Sequence, residues 1–362
     1  MSASAAQPRL LLIYLKPTSF VTDDWALLEE HYDVRAFHFD ADEATSALGL
    51  ARLWMRQLWW LLRELPSADL VLGWFADYHV ALPVLLARWV GVPVAVVLGG
   101  MDCNWVPELD YGVWESRWRA PLVRGICRHA SMLLPVSPAL IYHENAYACP
   151  PQVLENGIRA HVPGLETPHR AIPTGYPPEA WPMGPLERED VVSTVAIVDD
   201  ERRMKVKGVD VLIEAARRLP AVTFQVVGVT REMRPILQEK YDPPQNVTLF
   251  PPRDRSDLVG VYHETSVYTQ LSRTEGLPNV MAEAMCCGCI PVGSRVGGVP
   301  ELVEETGEIV ERPDPDEVAA RLRRALNRDE ADRRAARAWI EKKFSKAQRE
   351  EQLLAVLADL WA

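Results

Sequence analysis

Three absences frame the reading of this 362-residue chain. Its six cysteines show no framework spacing, so it does not read as a disulfide scaffold. Cys286, Cys287 and Cys289 crowd into one segment, but no partner Cys-x-x-Cys pair stands elsewhere to complete a tetrahedral metal site. As free thiols they serve as small apolar groups, and no metal is expected. Positive charge is not in excess: 39 Lys and Arg stand against 50 Asp and Glu, a net charge of −11, which argues against a nucleic-acid partner. Long apolar runs are lacking too. Residues 10–15 follow almost directly on Met1 and are too short for a signal core or a membrane span, which makes a cytoplasmic location the expectation.

What is present is the composition of a soluble protein with enough chain for two domains. Strand-like apolar runs at 10–15, 70–74, 94–98 and 132–135 alternate with helical stretches at 47–65 and 80–89, the pattern of a parallel βαβ sheet. Nine prolines between 150 and 185 mark a linker region. The alternation then restarts, with strands expected at 191–198, 223–227, 247–250, 267–269 and 290–293 and helices at 209–219 and 317–327. Residues 334–360 form a long charged amphipathic pattern without Gly or Pro. The reading divides the chain into a first Rossmann-like domain at 1–175, a linker at 176–190, a second domain at 191–335 and a terminal helix at 336–362.

The most informative stretch lies between Glu275 and Glu283, two acids separated by Gly276, Leu277, Pro278 and Asn279 and the start of a helix-like run. Pro278 suits a first helical turn, where its missing N–H costs nothing. Gly276 lets backbone approach a ligand closely. Free N–H groups at such a helix start bind phosphate, which places one acid before the helix and the other inside it, within reach of a sugar hydroxyl.

This stretch resembles the retaining, GT-B-fold glycosyltransferases of the E-x7-E type, family four, group 1. The resemblance rests on Ser272, Glu275-Gly276, Pro278-Asn279 and Glu283-Ala-Met, followed by Gly288, Pro291-Val292 and Gly297-Gly298-Val-Pro-Glu301, all in register, and a weaker likeness extends over most of the chain. It implies an α/β GT-B architecture: two Rossmann-like domains face across a cleft, and the last helix crosses back to the first domain. Ligands of such folds sit at the carboxyl ends of the parallel strands.

The resemblance also implies roles. The second domain would hold a nucleotide sugar, a UDP- or GDP-sugar, with no separate cofactor. Glu283 would bond the ribose, Glu275 the transferred sugar, and the backbone of Gly276, Leu277, Pro278 and Asn279 the diphosphate. Lys207-Gly208 matches half of a Gly-Arg-x4-Lys-Gly pattern whose cations stabilise the leaving diphosphate. The Gly-Arg half is missing, leaving Arg202 and Arg203 as substitutes. Base contacts are expected near residues 250–253.

On the acceptor side, Gly99-Gly100-Met-Asp102 stands where the family carries His-Gly-x-Asp, so the usual His is Gly99. Gly100, Asp102 and His79, which follows a strand-like run, are the candidate acceptor contacts. A Gly-Gly turn after the first strand is replaced by residues 14–19, where Lys16 and Ser19 are the polar choices. Ser137 matches a Val-Ser pair of the family. No side chain reads as a covalent nucleophile. Catalysis is therefore expected to rest on Lys207, Glu275 and Asp102 through positioning and charge stabilisation, with the leaving phosphate taking the acceptor proton.

A helical-wheel reading of residues 50–65 puts Leu50, Leu53, Trp54, Leu58, Leu61, Leu62 and Leu65 on a core-facing side, with Arg52, Arg56 and Arg63 opposite and Trp59 among them. The region from Trp54 to Trp60 is thus a candidate for peripheral membrane contact on the inner face, in keeping with a glycan or lipid-linked acceptor. Two other readings stay open: a nucleotide-sugar epimerase on the same fold, and a catalytically weak, glycosyltransferase-like binding subunit.

Overall fold

The computed structural model describes residues 7–43 and 46–361, so the leading residues of the N-terminal reading lie outside it. The first domain is built on β1 (Arg9–Tyr14), β2 (Asp33–His38), β3 (Leu70–Trp74), β4 (Val94–Leu98) and β5 (Met132–Pro135), all parallel, in the order β2-β1-β3-β4-β5. Strands β3 and β4 are buried at every position, as strands covered on both faces must be. Between them run α1 (Ser19–Glu29), α2 (Ala47–Glu64), α3 (Tyr78–Val90) and α4 (Arg119–His129). Right-handed crossovers in one direction along the sheet put α2, α3 and α4 on the same face, and the reversed step from β1 to β2 puts α1 on the other.

The proline-rich region is more ordered than its composition suggests. It contains the end of an antiparallel hairpin, β6 (His143–Cys149) and β7 (Gln152–Asn156), followed by the short α5 (Ile158–His161). Beyond this, Arg170 and Ile172 donate their backbone N–H groups to Leu133 and Pro135, tying the segment to the edge of the first sheet.

The second domain repeats the plan with six parallel strands: β8 (Val191–Val198), β9 (Thr223–Val229), β10 (Val247–Phe250), β11 (Val267–Gln270), β12 (Ile290–Ser294) and β13 (Glu308–Val310), in the order β10-β9-β8-β11-β12-β13. Its helices are α6 (Glu201–Val206), α7 (Val209–Ala216), α8 (Met233–Lys240), α9 (Arg255–Glu264), α10 (Asn279–Cys286), α11 (Val299–Val303) and α12 (Pro315–Leu326). Each sheet reverses its strand order once, at β1/β3 and at β8/β11. Such a reversal opens a crevice at the strand ends.

The amphipathic pattern expected as one terminal helix is two, α13 (Glu330–Lys343) and α14 (Lys346–Trp361). They separate at Phe344, whose backbone (φ −131°) leaves the helical region. Helix α13 packs on α10, while α14 crosses back to the first domain. Arg349 of α14 there forms a two-pronged ion pair with Asp24 of α1, both bonds 2.6 Å long, and also donates to the carbonyls of Ile172 and Pro173. Both side chains are almost fully buried, and the Trp74 indole donates to the same carboxylate. This architecture is the GT-B arrangement expected from the sequence.

Candidate active site

The β8/β11 crevice gathers the central pair. Lys207 follows α6 beyond the end of β8, and Glu275 lies in the loop after β11. The Lys207 Nζ sits 2.7 Å from Glu275 Oε1. The same oxygen accepts from Ser272 Oγ at 2.7 Å and Gln270 Nε2 at 2.9 Å. Three donors converge on one carboxylate oxygen, so the acid is held in one orientation before any ligand arrives. Gln270 escaped the sequence reading because a buried amide ending a strand carries no motif of its own.

Gly208 explains how Lys207 reaches this point. Its φ of +69° turns the chain from α6 into α7, and a Cβ there would lie 1.9 Å from the Leu271 carbonyl oxygen. Only glycine fits a left-handed turn pressed against the end of β11.

Gly276 has a second close neighbour besides any ligand. A Cβ on it would lie 1.9 Å from the Gly99 carbonyl oxygen, so the backbones of the two domains meet across the cleft. Its carbonyl accepts from the Gly298 N–H at 2.7 Å, which locks the loop onto the Gly297-Gly298 turn. Pro278 is the residue just before α10, and Leu277 is buried. Asn279, first in α10, accepts from the Tyr176 hydroxyl at 2.8 Å and the Thr174 hydroxyl at 3.1 Å, joining the helix start to the inter-domain segment.

Glu283 lies inside α10 and is almost wholly buried. Burial pushes its carboxyl up to about 7, against the opposing pull of Arg255. Arg255, from the start of α9, approaches Glu283 Oε1 at 3.2 Å, stacks 5.1 Å over the Trp181 ring and faces Asp23 of the first domain at 3.9 Å. The sequence reading passed over Arg255, which lies 28 positions from its partner with no spacing rule to link them.

The two arginines left open by the missing Gly-Arg pair diverge. Arg202 reaches across the cleft and donates to the Asp110 carbonyl at 3.2 Å. Arg203 turns to its neighbour Asp199 at 2.6 Å. Arg202 alone faces the first domain, beside Tyr111, whose hydroxyl is pushed up chiefly by burial and further by Glu275 and Asp102.

On the first-domain side, Asp102 is buried and fully engaged. Its carboxylate accepts from the backbone N–H groups of Ala76 (3.0 Å), Gly99 (3.1 Å) and Gly100 (2.8 Å). Burial raises its pKa while these bonds oppose the rise. The acid therefore shapes the Gly99–Gly100 turn that meets Gly276. Asn104, two residues on, crosses to the second domain and donates to the Glu275 carbonyl at 2.9 Å and to the Thr274 hydroxyl at 3.1 Å.

Gly99 has a partner that explains its small size. A Cβ there would lie 2.0 Å from Phe75 Cε1, so the Phe75 ring fills the space a side chain at 99 would need. Phe75 itself has a φ of +69°, rare for a bulky residue. This half-buried ring and its strained backbone mark the end of β3 at the cleft.

His79 does not line the cleft. It is fully buried in α3, its Nε2 lies 2.8 Å from the Trp74 carbonyl, and burial lowers its pKa, which makes it a neutral core histidine. Ser137 does bridge the domains, donating to Glu301 Oε2 at 2.9 Å. Lys16 is exposed and Ser19 begins α1.

Cys286, Cys287 and Cys289 are buried, and burial raises all three thiols, Cys286 to about 12 and Cys289 to about 11. They stay protonated and behave as packing groups. Among the described residues, the grouped metal-capable side chains are Glu30, His31 and Glu350 at the surface, where His31 Nε2 and Glu350 Oε1 stand 3.6 Å apart.

Residues 200–342 match the family model described as glycosyl transferases group 1. The D-inositol 3-phosphate glycosyltransferase of Mycobacterium sp. (strain KMS) is 32% identical over 163 residues, covering 42% of this chain and 36% of that protein. The chain thus spans about a third of the length of the curated relatives it matches. In overall structure it is similar to sucrose-phosphate synthase from Thermosynechococcus elongatus, with a TM-score of 0.73, 16% identity and coverage of 98% and 99% of the two chains. It is also similar to Anabaena HepE in complex with UDP, with a TM-score of 0.70, 16% identity and coverage of 97% and 100%. These likenesses establish the shared GT-B fold.

Proposed function

We propose that the protein is a retaining glycosyltransferase, a reading supported by the match of residues 200–342 to the group 1 glycosyl transferases. It moves a sugar from a UDP- or GDP-sugar to an acceptor hydroxyl on a glycan or lipid-linked molecule. The observation that carries the reading is the Lys207–Glu275 pair at the β8/β11 crevice, a cation and an acid fixed 2.7 Å apart where a nucleotide sugar's diphosphate and hexose would meet. The UDP complex of the similarly folded HepE supports a nucleotide as the donor's carrier.

In this mechanism the donor diphosphate draws Lys207 away from Glu275, and Arg202, from the same domain, leaves the Asp110 carbonyl to add a second cation. Glu275, still oriented by Ser272 and Gln270, turns its freed acceptor capacity to the sugar hydroxyls. Glu283 exchanges its Arg255 contact for the ribose. Negative charge grows on the leaving diphosphate as the glycosidic bond breaks, and prearranged cations stabilise it more than the ground state. The departing phosphate oxygen takes the acceptor proton, so no side-chain base is required. Asp102 acts through the backbone, by holding the Gly99–Gly100 turn against Gly276.

The test is release of nucleoside diphosphate from UDP- and GDP-sugars by the purified chain, with and without candidate acceptors. Acceptor-dependent release that collapses in Lys207→Ala, with the fold intact by circular dichroism, is the expected result. Near-normal turnover in that variant would overturn the assignment. The Phe75 ring in the space beside Gly99 favours one second reading, a binding subunit with little turnover. That reading expects nucleotide-sugar binding by calorimetry with neither transfer nor hydrolysis.

A further inference from the structure

The first domain presents a surface that sugar transfer does not use. Helices α2, α3 and α4 lie side by side, and between them opens an apolar groove of about 590 Å³. Trp54, Met55 and Leu58 of α2, Leu82 and Leu85 of α3 and Leu122 of α4 form its walls. The groove is large enough for a small-molecule ligand or an alkyl chain.

The surroundings are unusual in both polarity and charge. Half of the 14 large hydrophobic side chains exposed among the described residues lie on α2 and α3 alone, including Trp59 at 69% and Trp89 at 88% exposure. Leu62, which the helical wheel assigns to the core side, is also exposed. Single exposed apolar residues need no explanation, but a contiguous set around an apolar groove marks a contact surface.

The same three helices carry seven arginines and one acid, Glu64, in a chain of net charge −11. Arg56 and Arg119 are paired with Glu43 and Asp77, while Arg124 stacks on Trp114 and Arg128 bonds the Pro163 carbonyl. Among the described residues Arg63 pairs only with its neighbour Glu64, and its side chain is 86% exposed. Arg52 and Arg88 are exposed and have no acid partner among the described residues.

We propose that the α2–α3–α4 face docks on an anionic lipid bilayer. Trp59, Trp89 and Leu62 enter the interfacial zone, Arg52, Arg63 and Arg88 meet lipid phosphates, and an acyl chain fills the groove. Tryptophan suits the boundary between headgroups and hydrocarbon, and each arginine near a negative membrane surface adds to attachment. A symmetric contact between two copies would set arginine against arginine, which disfavours self-association through this face. No helix among the described residues is long and apolar enough to cross a membrane, so the contact is peripheral. The inference stands on this face alone and is independent of the donor chemistry.

Flotation of the full chain with phosphatidylglycerol–phosphatidylcholine vesicles, against pure phosphatidylcholine vesicles, tests it. Co-flotation with the anionic vesicles only, reversed by salt, is expected. Arg52→Glu, Arg63→Glu and Arg88→Glu combined should weaken binding by about a hundredfold or more, and Trp59→Ser with Trp89→Ser should abolish flotation. All five changes are at exposed positions, and unchanged nucleotide affinity would verify the fold. Gly125→Leu addresses the groove itself: Gly125 lines it, and a Cβ there meets nothing within 4 Å. This variant should weaken flotation several-fold, and unaltered flotation would remove the acyl chain from the proposal. Absence of wild-type flotation, wild-type behaviour of the charge and tryptophan variants, or a concentration-dependent dimer broken by those variants would overturn the docking surface.

Discussion

The two domains share a plan but differ in how they use it. In the second, the cleft-facing loops are fixed by short-range contacts among polar side chains: Lys207, Gln270 and Ser272 close on Glu275 within five residues or across one strand neighbour. In the first, the corresponding loops are fixed by backbone and by apolar bulk, with Asp102 folding its own turn and Phe75 filling the space beside Gly99. A loop that must recognise phosphate and ribose has few chemical solutions. One that shapes itself around an acceptor has many. On the proposed reading, the donor side keeps a motif and the acceptor side carries individual substitutions.

Changes chosen to break this contrast rank by expected effect. Arg349→Leu comes first, because it leaves the Asp24 carboxylate buried without its cation. Losing one partner of a buried pair costs about 3–5 kcal/mol. Urea denaturation should show that loss and, if the domains uncouple, two transitions instead of one. Lys207→Ala follows, with kcat expected to fall by roughly 10²–10³ and thermal stability little changed. A comparable fall from any single first-domain side chain would erase the asymmetry.

Glu283→Gln sharpens the donor side through pH. The folded carboxyl titrates at about 7, above its ordinary 4.5. The folded state therefore holds a proton that the unfolded state releases, and stability from this group falls as pH rises from the ordinary carboxyl range through about 7. Unfolding free energies against pH should show this decline in the wild type, on the order of 3 kcal/mol, and its absence in the Gln variant. Donor affinity should move the other way, tightening as the carboxylate forms, since only the ionised acid accepts from both ribose hydroxyls. Phe75→Ala is expected to have the smallest effect, a several-fold change in acceptor KM with the donor constant held. A change in donor affinity instead would place Phe75 in the donor site.

How much of this was legible in the sequence follows the same division. The buried strands announced themselves because a parallel strand covered on both faces must be continuously apolar, as β3 and β4 are. Edge strand β2, Asp33–His38, alternates charged with apolar residues and escaped, as did the helix α1 before it. Glu275 and Glu283 stood out through the turn chemistry between them, and Lys207 through the resemblance of Lys207-Gly208 to a family pattern. Arg255, Gln270 and Asn104 were not, since each meets its partner only through tertiary folding. His79 misled because a histidine just after a strand end has the same sequence signature whether it faces a cleft or, as here, a Trp74 carbonyl inside the core. The single amphipathic pattern at 334–360 hid the break at Phe344, which turns α14 back toward the first domain.

That return has a consequence for how the chain is made. Arg349 and Asp24 are separated by 325 positions. At synthesis rates of about 5–20 residues per second, the ribosome needs roughly 15–65 s to deliver the arginine after the aspartate has emerged. Once β5 has been made, and for most of that interval, the first domain has all its strands but lacks the cation for a carboxylate at its heart, with the Trp74 indole to satisfy it. The domain made first is thus the domain finished last, and the nascent chain's stability hinges on residues translated at its far end.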